Sequence, residues 1–444
     1  MSKVHQIPQV STLRFLRHAS EILNNPLPFH AENFKRHGDT FQLNLGFGKS
    51  VVFSRDAGFV QHALQKNQRN YTKSPIQTKD VAKYVGDGLL TAEGEHWRRQ
   101  RKMIQPAFHK KQLFGLLNRI DKAIKTELLR IEPGQEIDIF PIFNDLAFQT
   151  VAKSLFSSAI EVSEINRLQH ITEATQKMLV RELRQPFKGW WFNLSGQIKK
   201  HTEYTEEARN ILMNLVERRR QSASREEDLL DMLLESRYDD GTAMSDKQLV
   251  DEILILFTAG HETTSNALTF TAQLLAQHPE IQQKVFEEVT EIQSKTTDLL
   301  SFLQGLINTK QVVEESMRLY PPAYFIDRMN IEDDTYDHMK VPAGSRLLFS
   351  IQEIHRHKDF WKNPDQFDPS RFAEGNNLKY SSYYYPFGAG PRMCIGNNFA
   401  MYEMVLAIAQ LVTTFKICKK ETPIEILPLI TLKPKNAFLK FEKR

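Results

Sequence analysis

The chain has 444 residues, a formal net charge of +4 and 29 phenylalanines. So small a charge excess gives no argument for a nucleic-acid partner, and two cysteines, Cys394 and Cys418, exclude a disulfide framework. No stretch of ~18 apolar residues and no signal-peptide pattern occurs, so we expect a cytoplasmic protein without a membrane anchor.

The first third of the chain alternates between strand and helix patterns. "DTFQLNLGFGKSVVFS" has the short aromatic and β-branched runs of strands, and "DAGFVQHALQKN" has a helical pattern. From about Trp97 onward the pattern is mostly helical. Because no linker or internal repeat interrupts it, we predict one domain over residues 1–444, with a β-rich N-terminal part and a helical core. The predicted class is mainly α with a smaller β part.

A long helix is predicted over "LVDEILILFTAGHETTSNALTFTAQLLAQHP". Ser245 and Gln248 precede it with the spacing of a capping box, and Pro279 ends it. Because this helix is apolar nearly all round, we expect it to be buried.

Helices and short strands alternate in the last part of the chain. "NTKQVVEESMRLY" predicts a helix that ends at Pro321 and Pro322. "SRLLFSIQEI" predicts a strand, "NNFAMYEMVLAIAQLVTTF" a further helix, and the tail "PLITLKPKNAFLKFEKR" a hairpin.

One cysteine lies in the glycine-rich stretch "FGAGPRMCIG", just before a predicted helix. A lone cysteine is often a small buried hydrophobe. Here the helix start favours a thiolate, Arg392 offers a cation and Phe387 can shield a sulfur. A single sulfur is too few ligands for a zinc or iron–sulfur site. We therefore interpret Cys394 as the axial thiolate ligand of a heme iron.

This stretch resembles the heme-binding loop of the cytochrome P450 family, F-x-x-G-x-R-x-C-x-G, at every defined position. "AGHETT", "EESMR", "FDPSRF" and "HWRRQR" resemble other motifs of that family and occur in the same order. The resemblance implies a single-domain cytochrome P450 fold with heme b (iron protoporphyrin IX) as cofactor and residues 385–396 as the cysteine heme loop.

The resemblance also assigns residues to the heme. Arginine suits paired carboxylates, and the family positions of the propionate contacts match Trp97, Arg101, Arg328 and Arg392. The other expected cofactor contacts are Ala259, Gly260, Phe387, Cys394 and Gly396.

Two residues of the central helix are candidates for catalysis. The hydroxyl of Thr263 can bond to the carbonyl of Ala259, four residues earlier. The acid Glu262 is costly in a buried helix unless it has a function or a partner. The resemblance implies that Thr263 holds bound oxygen and that Glu262 relays protons. The alternative is a back-bonded threonine beside a solvated glutamate.

Glu315 and Arg318 lie three residues apart and share a helix face. Such a pair is usually a surface ion pair. The resemblance instead implies a buried network with Arg371 that holds the cysteine loop, with a structural role.

The resemblance implies a monooxygenase, an oxidoreductase that inserts one atom of O2 into a C–H bond of a small organic substrate. Since no flavin, NAD or iron–sulfur segment is recognisable, we expect electrons from a separate ferredoxin and ferredoxin reductase. Arg98, Arg99 and Lys102 could steer an acidic donor or could form a solvated face.

The substrate is open. Trp190, Trp191 and Phe192 could line an entrance for a fatty substrate, stack on a sugar or pack as a core or lid. In general appearance the chain resembles bacterial members of the family that demethylate 6-O-methyl-D-galactose, which favours oxidative O-demethylation with release of formaldehyde. Hydroxylation of a fatty acid or lipid is an alternative. A heme-thiolate sensor without turnover is another, although Glu262 and Thr263 argue against it.

Overall fold

The computed structural model describes residues 6–46, 48–157, 159–222, 225–376, 378 and 381–444. By its contacts the chain divides into two units, each made of several stretches. The first unit holds Met1–Ser74, Glu314–Cys394 and Ile426–Lys433, and the second holds Pro75–Val313, Ile395–Glu425 and Pro434–Arg444. No helix within the described residues is long and apolar enough to cross a membrane.

A six-stranded sheet forms the centre of the first unit. Its strands are Gln9–Val10 (β1), Thr40–Gly46 (β2), Lys49–Ser54 (β3), Tyr71–Thr72 (β4), Phe325–Asn330 (β6) and Arg346–Ser350 (β9). They lie in the order β1-β2-β3-β9-β6-β4. β2 and β3 pair antiparallel with Phe41 opposite Phe53, and these two rings stack at 5.2 Å. The strands predicted there are confirmed; Phe47 lies outside the described residues.

Short helices and a small sheet complete the first unit. The helices are Thr12–Arg17 (α1), Ala19–Asn24 (α2), Leu27–His37 (α3), Ala57–Gln61 (α4) and Ile351–Ile354 (α17), and the small sheet pairs Asp334–Tyr336 (β7) with Met339–Val341 (β8). The predicted helix "DAGFVQHALQKN" begins as α4 and continues as a π-helical turn at His62–Lys66. The predicted strand "SRLLFSIQEI" is too long, because Ser350 caps α17 by accepting from Glu353 N–H at 3.4 Å.

Helices dominate the second unit. They are Ala82–Val85 (α5), Gly94–Ile104 (α6), Lys110–Leu128 (α7), Phe140–Phe156 (α8), Val162–Arg184 (α9), Gly189–Leu194 (α10), Gln197–Gln221 (α11), Leu229–Glu235 (α12), Asp246–Gln277 (α13), Pro279–Lys295 (α14), Leu299–Gly305 (α15), Ile307–Leu319 (α16, whose last turns belong to the first unit) and Asn397–Thr414 (α18). The class predicted from the sequence, mainly α with a smaller β part, is confirmed.

The central predicted helix is α13, and it is buried along most of its length. Ser245 caps it by accepting from the Gln248 N–H at 3.3 Å, and it ends at His278, before Pro279. Its burial along most of its length agrees with the apolar pattern of the sequence.

The C-terminal strands do not form the predicted hairpin. Glu425–Pro428 (β11) pairs with Leu432–Lys435 (β12). Phe438–Lys443 (β13) pairs instead with Phe415–Ile417 (β10) and Glu136–Asp138 (β5). The alternation of the tail is that of strands, but the partners of β13 lie far back in the sequence, where no local pattern points to them.

Candidate active site

The glycine-rich loop belongs to the first unit as far as Cys394. Gly388 and Gly390 have φ angles of 72° and 70°, in the region that favours glycine. A Cβ at Gly390 would lie 1.9 Å from the carbonyl oxygen of Leu64, so a side chain has no room there. The N–H of Cys394 donates to Phe387 O at 2.9 Å, and the Cys394 side chain is exposed. The loop therefore presents a thiol that a cofactor can reach.

Strand β6 presents Arg328 on the face that meets this loop. The Ile326 side chain lies 3.8 Å from the position of a Cβ on Gly388. Arg328 follows two residues later, on the same face of the strand. It is buried, and its Nη1 donates to Asp327 O at 2.7 Å. Arg392, within the loop, is half-buried.

A buried ion pair joins the last turns of α16 to the segment that precedes the cysteine loop. Arg318 donates from Nε and Nη2 to the two carboxylate oxygens of Glu315 at 2.7 and 2.8 Å. The Nε of Arg371 and the N–H of Asp368 donate to the same carboxylate at 3.3 and 2.9 Å. Two charge-assisted bonds in a bidentate arrangement offset part of the cost of burying both charges. The structure thus brings Glu315, Arg318 and Arg371 together.

His355 connects this ion pair to the start of the cysteine loop, and the sequence did not reveal it. Its Nε2 accepts from the N–H of Tyr385 at 2.8 Å, and its Nδ1 lies 3.2 Å from Arg318 O. Burial lowers the pKa of the imidazole to about 3, so the ring is neutral and keeps an acceptor nitrogen. No spacing in "EIHRHKD" distinguishes this histidine from its neighbours.

Along α13 one short stretch is open. Ala259 is exposed and Leu256, Gly260 and Thr263 are partly exposed, and these four follow the spacing of one helix face. The Oγ1 of Thr263 donates to Ala259 O at 2.9 Å, as the spacing predicts. A Cβ on Gly260 would lie 3.2 Å from Val151 Cγ2. This face therefore offers two small residues, Ala259 and Gly260, beside the larger Leu256 and the hydroxyl of Thr263.

The two residues between Gly260 and Thr263 are buried. Ser265 Oγ donates to Glu262 O at 3.0 Å, and the Glu262 side chain lies inside the second unit. The Nδ1 of His261 lies 2.6 Å from Phe257 O, and its ring meets the edge of Phe148 at 5.2 Å. His261 is accordingly a core residue, for which no catalytic role was predicted.

Helix α6 carries the predicted tryptophan and arginine of the second unit. Trp97 is buried, and the half-buried Arg101 donates from Nε to Gln105 Oε1 at 3.1 Å. The exposed basic side chains beside them each have an acidic partner: Arg98 with Glu95 at 3.2 Å, Arg99 with Asp240 at 3.2 Å and Lys102 with Asp239 at 2.7 Å. These contacts reduce the charge that the helix presents to a donor protein.

The three aromatic residues of α10 separate in the structure. Trp190 and Trp191 are 68% and 47% exposed, and their rings make an edge contact at 5.9 Å. Phe192 is buried, with the guanidinium of Arg181 5.2 Å from its ring. Only the tryptophan pair can meet a substrate or another surface.

The predicted site residues divide between the two units. The first unit holds Glu315, Arg318, Arg328, Arg371, Phe387, Arg392 and Cys394, and the second holds Trp97, Arg101, Ala259, Gly260, Glu262, Thr263 and Gly396. Gly396 is the N-cap residue of α18.

Comparison with known proteins identifies the family. A family model described as "Cytochrome P450" matches residues 8–441. The chain belongs to the cytochrome P450 family. It is 30% identical to a cytokinin hydroxylase of Arabidopsis thaliana over 92% of this chain and 81% of that protein. It is 28% identical to the cyclooctat-9-en-7-ol 5-monooxygenase of Streptomyces melanosporofaciens over 90% of this chain and 87% of that one.

Solved cytochrome P450 structures share the fold. A cyanobacterial CYP120A1 with retinoic acid bound superposes with a TM-score of 0.86 and 26% identity, covering 100% of both chains. The heme domain of cytochrome P450DA has a TM-score of 0.85 at 20% identity, covering 100% of this chain and 99% of that one.

Membership in the cytochrome P450 family settles the type of chemistry. The protein is a monooxygenase, an oxidoreductase that binds heme b and uses O2 and electron-transfer partners. The residues present fit that cofactor, because Cys394 offers an exposed thiol on the glycine-rich loop.

Proposed function

We propose that this cytochrome P450 hydroxylates an apolar substrate of lipid or terpenoid type at a heme held by Cys394. The observation that carries the assignment is the exposed Cys394 thiol on a turn fixed by the Phe387 carbonyl and by the close contact of Gly390 with Leu64. A thiolate here would be an electron-rich ligand of the heme iron.

The arginines and Trp97 are proposed to hold the propionates. The three arginines Arg101, Arg328 and Arg392 would provide cations, and Trp97 an indole N–H, suited to two carboxylates. Phe387, whose carbonyl accepts from the Cys394 N–H, would limit access of water to the sulfur, and Gly396, without a side chain, would allow the cofactor to come close. When bound, the heme supplies the activation of O2 that side chains cannot perform.

Thr263 and Glu262 are proposed to manage protons. The Thr263 hydroxyl donates to Ala259 O, so its oxygen lone pairs would remain able to accept a hydrogen bond from a water molecule. Glu262, one position earlier, would transfer protons inward from solvent. Ala259 and Gly260 keep the adjoining helix face free of bulky side chains. The trio Glu315, Arg318 and Arg371 is proposed to hold the cysteine loop in place.

Two considerations favour an apolar substrate. The open face of α13 is apolar except for Thr263. The names of two relatives and one solved structure mention cyclooctat-9-en-7-ol, pentalenene and retinoic acid, although another relative is a cytokinin hydroxylase. An apolar pocket binds such molecules through burial of their surface.

O-Demethylation of 6-O-methyl-D-galactose, with release of formaldehyde, is the second candidate. The exposed Trp190 and Trp191 rings favour it, because aromatic faces stack on sugar rings. No observation favours a sensor without turnover. We further propose a ferredoxin and its reductase as electron donors, and a cytoplasmic location, which the absence of a disulfide framework favours.

The test is a titration of the ferric protein, followed by heme absorbance, with a terpenoid and fatty-acid panel and a methylated-sugar panel. Displacement of water from the iron by an apolar ligand alone, seen as a shift of the Soret band, is the expected result. A shift with methylated sugars alone, followed by formaldehyde on turnover, would replace the proposal with the O-demethylase. In the control, Cys394→Ser should lose the thiolate-type band of the reduced carbon monoxide complex, and its persistence would refute the ligand assignment.

A further inference from the structure

Two adjacent carboxylates near the start of α13 have no part in the chemistry proposed above. Asp251 and Glu252 are 0% and 1% exposed. Burial of an ionisable group is costly unless it is paired or hydrogen-bonded. Their partners therefore indicate what these two residues do.

Both carboxylates bind the backbone of the turn formed by residues 86–89. Asp251 Oδ2 accepts from the N–H of Asp87 at 3.1 Å, and Glu252 Oε2 accepts from the N–H of Leu89 at 3.0 Å. The side-chain amide of Gln248 donates to Asp87 O at 2.8 Å and to Glu252 Oε1 at 3.0 Å. Three side chains of one helix thus hold one turn.

The glycines of the turn allow this close approach. A Cβ on Gly86, where φ is 85°, would lie 2.3 Å from Asp251 Oδ1, and a Cβ on Gly88 would lie 2.6 Å from Glu252 Oε2. Thr91 closes the turn, because its Oγ1 donates to Gly86 O at 2.7 Å and accepts from Gly88 N–H at 3.1 Å. The turn and the carboxylates are therefore complementary in shape as well as in hydrogen bonding.

The charges around the two carboxylates differ. Asp251 pairs with Arg209 of α11 and lies 3.4 Å from Lys247 Nζ. Glu252 is held by the neutral donors of Leu89 and Gln248. It faces the negative charges of Asp251 and Asp87. The Asp87 carboxylate also lies 3.6 Å from Nε2 of His96 on α6. Burial, with the two aspartates adding to it, raises the pKa of Glu252 to about 7.

We propose that Asp251 and Glu252 are positioning residues that hold the 86–89 turn closed, and with it the start of α6, and that protonation of Glu252 sets how often the turn opens. The turn leads through residues 90–93 directly into α6, which carries Trp97 and Arg101. The link to the cofactor rests on the proposed heme contacts of those two residues. The clamp, by which we mean the hydrogen bonds from Gln248, Asp251 and Glu252 to the 86–89 turn, does not depend on them.

The direction of the pH dependence follows from linkage. In an opened turn Glu252 is hydrated and regains its ordinary pKa of 4.5, whereas the closed turn holds it at about 7. The closed form therefore binds more protons between these values, and opening becomes easier as pH rises through 7. From pH 6 to pH 8 the opening equilibrium should increase about tenfold.

Hydrogen–deuterium exchange of the full heme-loaded protein tests the clamp. Peptides that contain Asp87 and Leu89 are followed at pH 6 and pH 8, with the intrinsic pH dependence of exchange removed. In the wild type we expect these peptides to exchange about tenfold faster at pH 8 than at pH 6. Glu252→Gln should lose this difference, because the glutamine keeps an acceptor for Leu89 but does not titrate. Glu95→Gln, an exposed acid of α6, is the control and should behave as the wild type. Equal pH dependence in the wild type and Glu252→Gln would overturn the proposal.

The positioning role has a second readout, the rate at which heme transfers to an excess of apomyoglobin. Glu252→Ala removes both hydrogen bonds and should release heme faster at pH 6, and Glu252→Gln should restore the wild-type rate. Equal rates in all three proteins would refute the link to α6. A failure of the proposed function is distinguishable, because it would appear as a missing thiolate-type spectrum while the exchange experiment still reports on the clamp.

Discussion

At Gly390 the space that a side chain would need is occupied by backbone. We expect Gly390→Ala to displace the cysteine loop, because its Cβ would lie 1.9 Å from Leu64 O at a positive φ. The purified variant should hold much less heme, measured as the ratio of Soret to protein absorbance.

Gly388→Ala is the matched control for that change. Gly388 has nearly the same φ, 72°, but the nearest atom to its Cβ position is Ile326 Cδ1 at 3.8 Å. Gly388→Ala therefore introduces the backbone strain without the clash, and it should retain more heme than Gly390→Ala. Equal loss in the two variants would show that strain, and not contact with Leu64, determines the shape of the loop.

Thr263 supports a second prediction for a single residue. Thr263→Ala should leave heme binding intact and divert O2 reduction to peroxide, because the hydroxyl next to Ala259 O is removed. The measurement is product and peroxide formed per NADPH with a ferredoxin donor system. Thr263→Ser keeps the hydroxyl and should stay coupled. An alanine variant as coupled as the wild type would exclude the role proposed for Thr263.

Within one element, sequence spacing was a reliable guide. The bond from Thr263 to Ala259 and the pair Glu315–Arg318 follow from helix geometry, which fixes residues three or four apart on one face. The contact of His355 with Tyr385 could not be predicted, because the two residues are joined only by the course of a loop. The partners of β13 were missed for the same reason: long-range pairing is not encoded in local alternation.

Helix α18 carries a buried acid that makes its packing sensitive to pH. Glu403 is fully buried, and burial raises the pKa of its carboxyl well above the ordinary value of 4.5. Its favourable contribution to stability is present below that value and decreases as pH rises toward the folded pKa. The free energy of unfolding should fall by ~1.4 kcal/mol per pH unit from this group alone.

Glu403→Gln should flatten this slope, measured by urea unfolding between pH 5 and pH 8. The amide has the shape of the acid but no proton to lose. Glu403→Ala should flatten the slope as well, but it should lower stability at pH 5, because it leaves a cavity. An unchanged slope in the glutamine variant would mean that Glu403 titrates normally.

Over the whole molecule, buried acids and buried imidazoles change the free energy of unfolding in opposite directions as pH rises. Burial lowers the pKa of His30 and His355 from 6.5 to about 3, so their contribution is lost as pH falls from 6.5 toward 3. Glu252 and Glu403 lose theirs as pH rises above 4.5. We expect a broad stability maximum between about pH 4.5 and 6.5, where the two effects offset each other. Unfolding measured across pH 3 to 9 checks this, and a maximum at pH 8 would contradict it.

The exposed tryptophan pair also has an optical consequence. The chain has four tryptophans, and Trp97 and Trp361 are buried while Trp190 and Trp191 face water. A collisional quencher such as iodide would therefore extinguish emission from the α10 pair alone, at the red edge of the fluorescence spectrum. Binding of a ligand at this segment should therefore change the intrinsic fluorescence of the protein, so that no attached dye is needed.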